Sequence, residues 1–184
     1  RSGKDTAVGI IKKLLLHSSY EYKLSKPLKQ GMQILYDLHP KVYLELSEDH
    51  KDTPSASLYG QTAREAQIAL FKCLSKGCGE DVLAKMAIKF IDSKVTEEYV
   101  LISDSGRTIE TQTLLEHFGY DKVGLIQLWR PGCNFEGDIR EYVCINCRHH
   151  TKVNNEFELD IFEAQIKKVL KEWNLPLKQL QKHG

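Results

Sequence analysis

The sequence predicts an α/β domain in which a central parallel sheet is covered by helices on both sides. Three observations carry this prediction. Short apolar runs with strand character alternate with amphipathic helical stretches, the pattern of strand-helix-strand units. Tyr99-Val-Leu-Ile-Ser-Asp104 is a compact apolar run, as a strand buried on both faces requires. The chain has 184 residues, 41% of them hydrophobic, enough to build a core without disulfide or metal staples, so residues 1–184 read as one domain.

Taken in order, Ala7, Val8, Ile10, Ile11, Leu14 and Leu15 recur at helical spacing, so the chain enters an amphipathic helix directly after Lys4. Tyr20-Glu-Tyr-Lys-Leu-Ser25 reads as a short strand stopped by Pro27, with a helix over Leu28 to Leu38. Residues 39–60 carry charges, two prolines and few apolar anchors, and read as a mobile connection or a small cap. Thr62-Ala-Arg-Glu65 is a capping-box pattern that opens a helix to about Leu74. Gly77 and Gly79 stop it before a further helix over Asp81 to Ile91. After the strand ending at Asp104 come a helix near Ile109 to Phe118 and a strand from Lys122 to Trp129. A helix over Glu158 to Trp173 presents Ile161, Phe162, Ile166, Val169, Leu170 and Trp173 on one face.

The chemistry begins at the first residues. Arg1-Ser-Gly-Lys-Asp-Thr6 matches the second half of a phosphate-cradling loop, G-x-x-x-x-G-K followed by Ser or Thr, with Gly3 and Lys4 as its second glycine and lysine. The helix that follows supplies unpaired amides and a favourable dipole for an anion. The alternative is an ordinary solvated Gly-Lys turn. Such a loop also needs a buried strand in front of it. The expectation is therefore an apolar strand, ending in glycine, before Arg1.

Asp104, at the C-terminal end of an apolar strand, stands at the edge where open parallel sheets bind ligands, suited to hold a hydrated magnesium ion or orient a hydroxyl. A turn-forming aspartate is its plainer reading. Arg107 follows in the same loop, and Arg64, in the first turn of a capped helix, could take a phosphate through its planar fork; a solvated arginine is the alternative. Arg130 and Arg140 flank a stretch suited to a lid that excludes water, with ordinary solvated loop arginines as the alternative. Cys133, Cys144, Cys147 and His149 give C-x10-C-x2-C-x-H, a thiolate and imidazole mixture of the kind that holds structural zinc; the alternative is a set of small buried residues.

These pieces, together with Tyr22-Lys-Leu-Ser-Lys-Pro-Leu-Lys29, Thr62-Ala-Arg64-Glu and Trp129-Arg-Pro-Gly132, resemble in their order the bacteriophage deoxynucleoside monophosphate kinases. More distantly the chain is similar to animal-type phosphomevalonate kinase and to dephospho-CoA kinase. The resemblance leaves residues 39–60 and 133–150 unmatched. It implies a P-loop NTPase-like, three-layer αβα fold whose first strand is missing from the sequence in hand. It also implies transfer of the γ-phosphoryl of ATP, with Mg2+, to a deoxynucleoside monophosphate. Arg1, Ser2, Gly3, Lys4, Asp5 and Thr6 would cradle ATP, and Asn154 or Asn155 would lie near its base. Lys29 and Arg64 would hold the acceptor phosphate, with Asp104 and Arg107 between the two nucleotides. Asp104-Ser-Gly-Arg107 departs from the family's Asp-x-Arg by one residue, which displaces the arginine. Other small phosphorylated acceptors, and a nucleotide-binding domain without catalysis, are the competing readings.

A formal charge of +1 gives no cationic field for nucleic acid or an anionic membrane. No apolar run approaches the roughly 20 residues of a bilayer span. Five cysteines, an odd number in a core-forming chain, fit a reducing compartment, so the expected location is cytoplasmic, the host cytoplasm for a phage protein. A homodimer and a monomer are both compatible with the sequence.

Overall fold

The computed structural model describes residues 3–104, 106–132, 142–156 and 158–178. Helix α1 (Lys4–Leu14) leads to strand β1 (Ser19–Tyr22), then α2 (Lys26–Leu35), α3 (Pro40–Glu48), α4 (Ala63–Cys78) and α5 (Val82–Lys94). Strand β2 (Tyr99–Ile102), α6 (Thr108–Phe118), β3 (Gly124–Trp129), β4 (His149–Asn154) and α7 (Leu159–Glu172) complete the order. The class is mixed α/β with parallel strands, and the strands form two small sheets. In one, β1 runs parallel to β2 with Ser19 opposite Tyr99; in the other, β3 runs parallel to β4 with Gly124 opposite His149.

Strand alternation explains how helices cover both faces of the β1–β2 pair. Tyr99 and Leu101 turn toward a core formed by Ile10, Ile11 and Leu14 of α1 and by Phe162, Ile166 and Leu170 of α7. Val100 and Ile102 turn the other way, with Tyr20 and Tyr22, onto Phe71 of α4 and Val82, Leu83 and Ala87 of α5. Ile126 and Leu128 of β3 pack on the same α1–α7 core as Tyr99 and Leu101. Yet β2 pairs only with β1, and β3 only with β4, so each keeps one edge without a strand partner among the described residues.

Residues 39–60 are more ordered than their composition predicts. They hold α3 and a 3-10 turn at Ala56–Leu58, and Leu46 and Leu58 join Met32, Leu38, Ala63 and Ala66 in a third apolar cluster. Helices α2 and α4 each serve two clusters: Leu28 and Phe71 belong to the core beneath the sheet, Met32 and Ala66 to the outer one. The two helices cross closely, since a β-carbon at Gly31 would stand 2.9 Å from Leu70 Cδ2.

Boundaries shift modestly elsewhere. α4 continues through Gly77 and ends at Cys78, with Gly79 as the stop at φ +94°. The capping box forms as read: Thr62 Oγ1 accepts the Glu65 N–H at 3.1 Å and the Glu65 carboxylate accepts the Thr62 N–H at 2.8 Å. β4 occupies the end of the stretch assigned to a lid, a strand the sequence reading did not include. Among the described residues no helix is long and apolar enough to cross a membrane.

Candidate active site

The first turn of α1, the ends of β1 and β2 and the end of β4 meet at the C-terminal edge of the strands. Gly3 adopts a left-handed conformation, φ +88°, that a side chain would strain, and its α-carbon faces the Asn155 side-chain amide so closely that a β-carbon would collide with it. Asn155 in turn donates its backbone N–H to the Trp129 carbonyl at 2.8 Å. The start of α1 is thereby anchored where β3 and β4 end.

Lys23, one residue past β1, ties the same turn to the other sheet. Its ammonium lies 3.0 Å from Asp5 Oδ1 and 4.0 Å from Glu21 Oε1. The hydrogen bond to Asp5 raises its pKa above the ordinary lysine value, partial burial opposes this, and the charges of Asp5, Glu21 and Asp104 add to the rise. Glu21 Oε1 also accepts the Ser103 hydroxyl at 3.1 Å, and Asp104 Oδ2 accepts the Ser25 backbone N–H at 2.6 Å. Asp104 thus sits on the side of the molecule where α1 begins, within electrostatic reach of the lysine that holds Asp5. Beneath it, burial pushes the Tyr22 phenol up, with Tyr20 and Asp104 adding smaller contributions.

Beside this network opens a cavity of about 270 Å3 lined by Glu21, Lys23, Lys26, Lys29 and Tyr43. Its lining carries three ammonium groups and one carboxylate, with the Lys23 ammonium already paired to Asp5. Lys29, expected to hold the acceptor phosphate, lines it. Lys23, Lys26 and Tyr43 were not singled out from sequence. The lysines had a signal: residues 23, 26 and 29 recur every third position, which puts them on one side of a chain turning into a helix. Tyr43 had none, because α3 lay in the stretch read as a connection or cap.

Other expected residues are held elsewhere. Arg64 Nε lies 2.6 Å from Asp52 Oδ1, and the structure does not place Arg64 in the lysine cavity. Arg107 is the centre of a different arrangement. One guanidinium nitrogen lies 2.6 Å from Glu80 Oε2, and the other reaches the Glu80 carbonyl and, at 3.3 Å, Glu110 Oε1. The group stacks over the Phe71 ring at 4.3 Å. It therefore joins α4, the α4–α5 turn and α6. Arg130 follows the last residue of β3 and is exposed at the same edge as Asn155. Asn154 donates its side-chain amide to Glu156 at 2.8 Å, while its Oδ1 is buried without a partner among the described residues.

Arg1, Ser2, Cys133 and Arg140 lie outside the described residues. The remaining cysteine and histidine candidates diverge: the Cys147 thiol is directed at the His149 carbonyl, 3.7 Å away, and the His149 ring packs on Trp173. Among the described residues no three His, Cys, Asp or Glu side chains stand together as a metal set. In comparisons with known proteins, no family model matches the chain and no curated protein matches it.

Proposed function

We propose that the chain is a nucleotide kinase that transfers the γ-phosphoryl of ATP to a deoxynucleoside monophosphate on a P-loop-like, three-layer αβα fold. One observation supports this above the others: a glycine-lysine helix start, Gly3-Lys4-Asp5-Thr6, opens at the C-terminal edge of parallel strands next to a cavity lined by Lys23, Lys26 and Lys29. Phosphoryl transfer asks for positioning and charge neutralisation rather than covalent work by the protein.

In this reading the amides of the first turn of α1 and the Lys4 ammonium hold the β- and γ-phosphates of ATP. Lys26 and Lys29 hold the acceptor phosphate, and Tyr43 closes the cavity from α3. An acceptor phosphate oxygen attacks the γ-phosphorus as the bond to the β-phosphate oxygen breaks, and that electron pair leaves with ADP. Asp104 is fixed by the Ser25 amide at the edge where both phosphates converge. Its hard oxygen chemistry fits magnesium. When bound, that ion would neutralise charge on the β- and γ-phosphates.

The test uses the natural full-length protein with ATP, magnesium and each of the four deoxynucleoside monophosphates, with ADP release as the readout. Activity with at least one acceptor is expected, reduced about a hundredfold or more by Lys4→Ala. No ADP above background with any of the four would sink the deoxynucleotide reading; with phosphomevalonate added as a fifth acceptor, activity confined to it would keep the kinase and reassign the acceptor, and none with any of the five would sink the kinase.

A further inference from the structure

A polar pair stands where the core face of the β1–β2 sheet reaches the phosphate edge. Tyr99 and Leu101 turn onto the α1–α7 core, and strand alternation sends the next residue of that face, Ser103, to the same side. Glu21 lies opposite Leu101 in the register and so shares this side. Ser103 is only 4% exposed, a setting in which an apolar side chain is the ordinary occupant. Its hydroxyl instead donates to Glu21 Oε1 at 3.1 Å, across 82 positions of the chain. Two ammonium groups steady the Glu21 carboxylate, Lys12 of α1 at 3.8 Å and Lys23 at 4.0 Å.

Stability alone does not account for the pair. Both groups give up water to meet, and exchanging both partners for apolar groups of the same shape is often nearly neutral. What the pair does fix is the chain beside it. The Ser103 N–H donates to the Tyr22 carbonyl at 3.2 Å, which carries the β1–β2 ladder one residue past Ile102. With the side-chain bond added, residue 103 is held to β1 by backbone and side chain at once. Asp104 follows directly, and its Oδ2 accepts the Ser25 N–H at 2.6 Å. Ser103 thus sets the direction in which Asp104 leaves the strand, and the Ser25 bond completes the placement. Without the hydroxyl, the last rung of the ladder, where strand pairs open most readily, has one bond fewer to hold it.

We infer that Ser103, through Glu21, is a positioning residue for phosphoryl transfer, holding the end of β2 so that Asp104 faces the phosphates. This role rests on the kinase reading, and two readouts on the natural full-length protein keep them apart. The first needs no activity. The Ser25 backbone amide proton reports in the NMR spectrum on its bond to the Asp104 carboxylate, and Asp104→Asn, which removes the charge on the acceptor, marks where the signal goes when that bond weakens. Ser103→Ala should move it toward the Asp104→Asn position, and Ser103→Thr, which keeps the hydroxyl, should leave it near wild type. An amide unmoved in Ser103→Ala overturns the role, whatever the kinase assays show. In the second readout, Ser103→Ala should lower kcat about tenfold, with KM for the monophosphate changed less than about twofold, and Ser103→Thr should recover most of the rate. Because the effect runs through Asp104, it should shrink to within about twofold in an Asp104→Asn background. An equal loss in both backgrounds, or a threonine variant as slow as the alanine one, overturns the role and leaves the kinase standing. No ADP from the wild type with any acceptor sinks the kinase reading and this role with it, whereas a moving amide would still show Ser103 holding Asp104.

Discussion

Lys23 shows how one side chain can matter to a site and little to stability. Its pair with Asp5 is exposed enough that solvent screens it, so Lys23→Met should cost less than about 1 kcal/mol in denaturant unfolding. Under the kinase reading the same substitution removes one of the three ammonium groups that line the acceptor cavity, beside the Lys26 and Lys29 that hold the phosphate, and should raise KM for the monophosphate severalfold, with a smaller effect on kcat. Steady-state kinetics with the acceptor varied would read the split. The pairing raises the Lys23 pKa, so its contribution is complete below the ordinary lysine value and is lost only as pH climbs through the higher folded value. It is therefore constant through neutral pH. At this scale a loop pattern and a strand end pointed to Gly3, Lys4 and Asp104, because each carries its own geometry, while Lys29 came only from the resemblance; the structure brings the first turn of α1, Asp104 and the cavity lined by Lys29 to one edge. The sequence did not reveal the setting of Arg107. Where the chain reads Asp104-Ser-Gly-Arg107, the guanidinium goes to Glu80, Glu110 and Phe71, partners that lie far away in sequence and leave no local trace.

Helix starts are the elements most open to a stability test. Thr62→Ala removes the side-chain acceptor of the α4 capping box and should cost about 1 kcal/mol. The backbone N–H of Thr62 holds the Glu65 carboxyl below its usual range. A depressed carboxyl stabilises above its unfolded pKa, and the benefit disappears as pH falls through the folded value. Urea unfolding of wild type and Glu65→Gln should therefore differ at pH 7 and converge only as pH falls past the ordinary glutamate value and through the depressed folded one. This box was readable because all its chemistry lies within four residues. So were the amphipathic helices α1 and α7, whose apolar periodicity is local. β4 was not: His149-His-Thr-Lys-Val-Asn154 has a single fully buried apolar residue, Val153, and becomes a strand by pairing with β3. α3 was missed for a related reason, since its few apolar residues gain meaning only against Met32 and Ala63.

At the scale of the whole molecule, the unpaired edges of β2 and β3 are the feature that a parallel sheet does not ordinarily tolerate, because exposed strand edges invite wrong partners. The parallel α/β class was legible from the alternation of strands and helices, whereas the division into two sheets was not, since pairing is a property of strands far apart in the chain. The crossing of α2 and α4 at Gly31 carries a last consequence, for cooperativity. Although the cluster around Met32 has an apolar centre of its own, its two supporting helices are also walls of the neighbouring core, so neither can melt and leave the other standing. Heating should dissolve both in a single calorimetric transition, with equal van't Hoff and calorimetric enthalpies, despite two apolar centres.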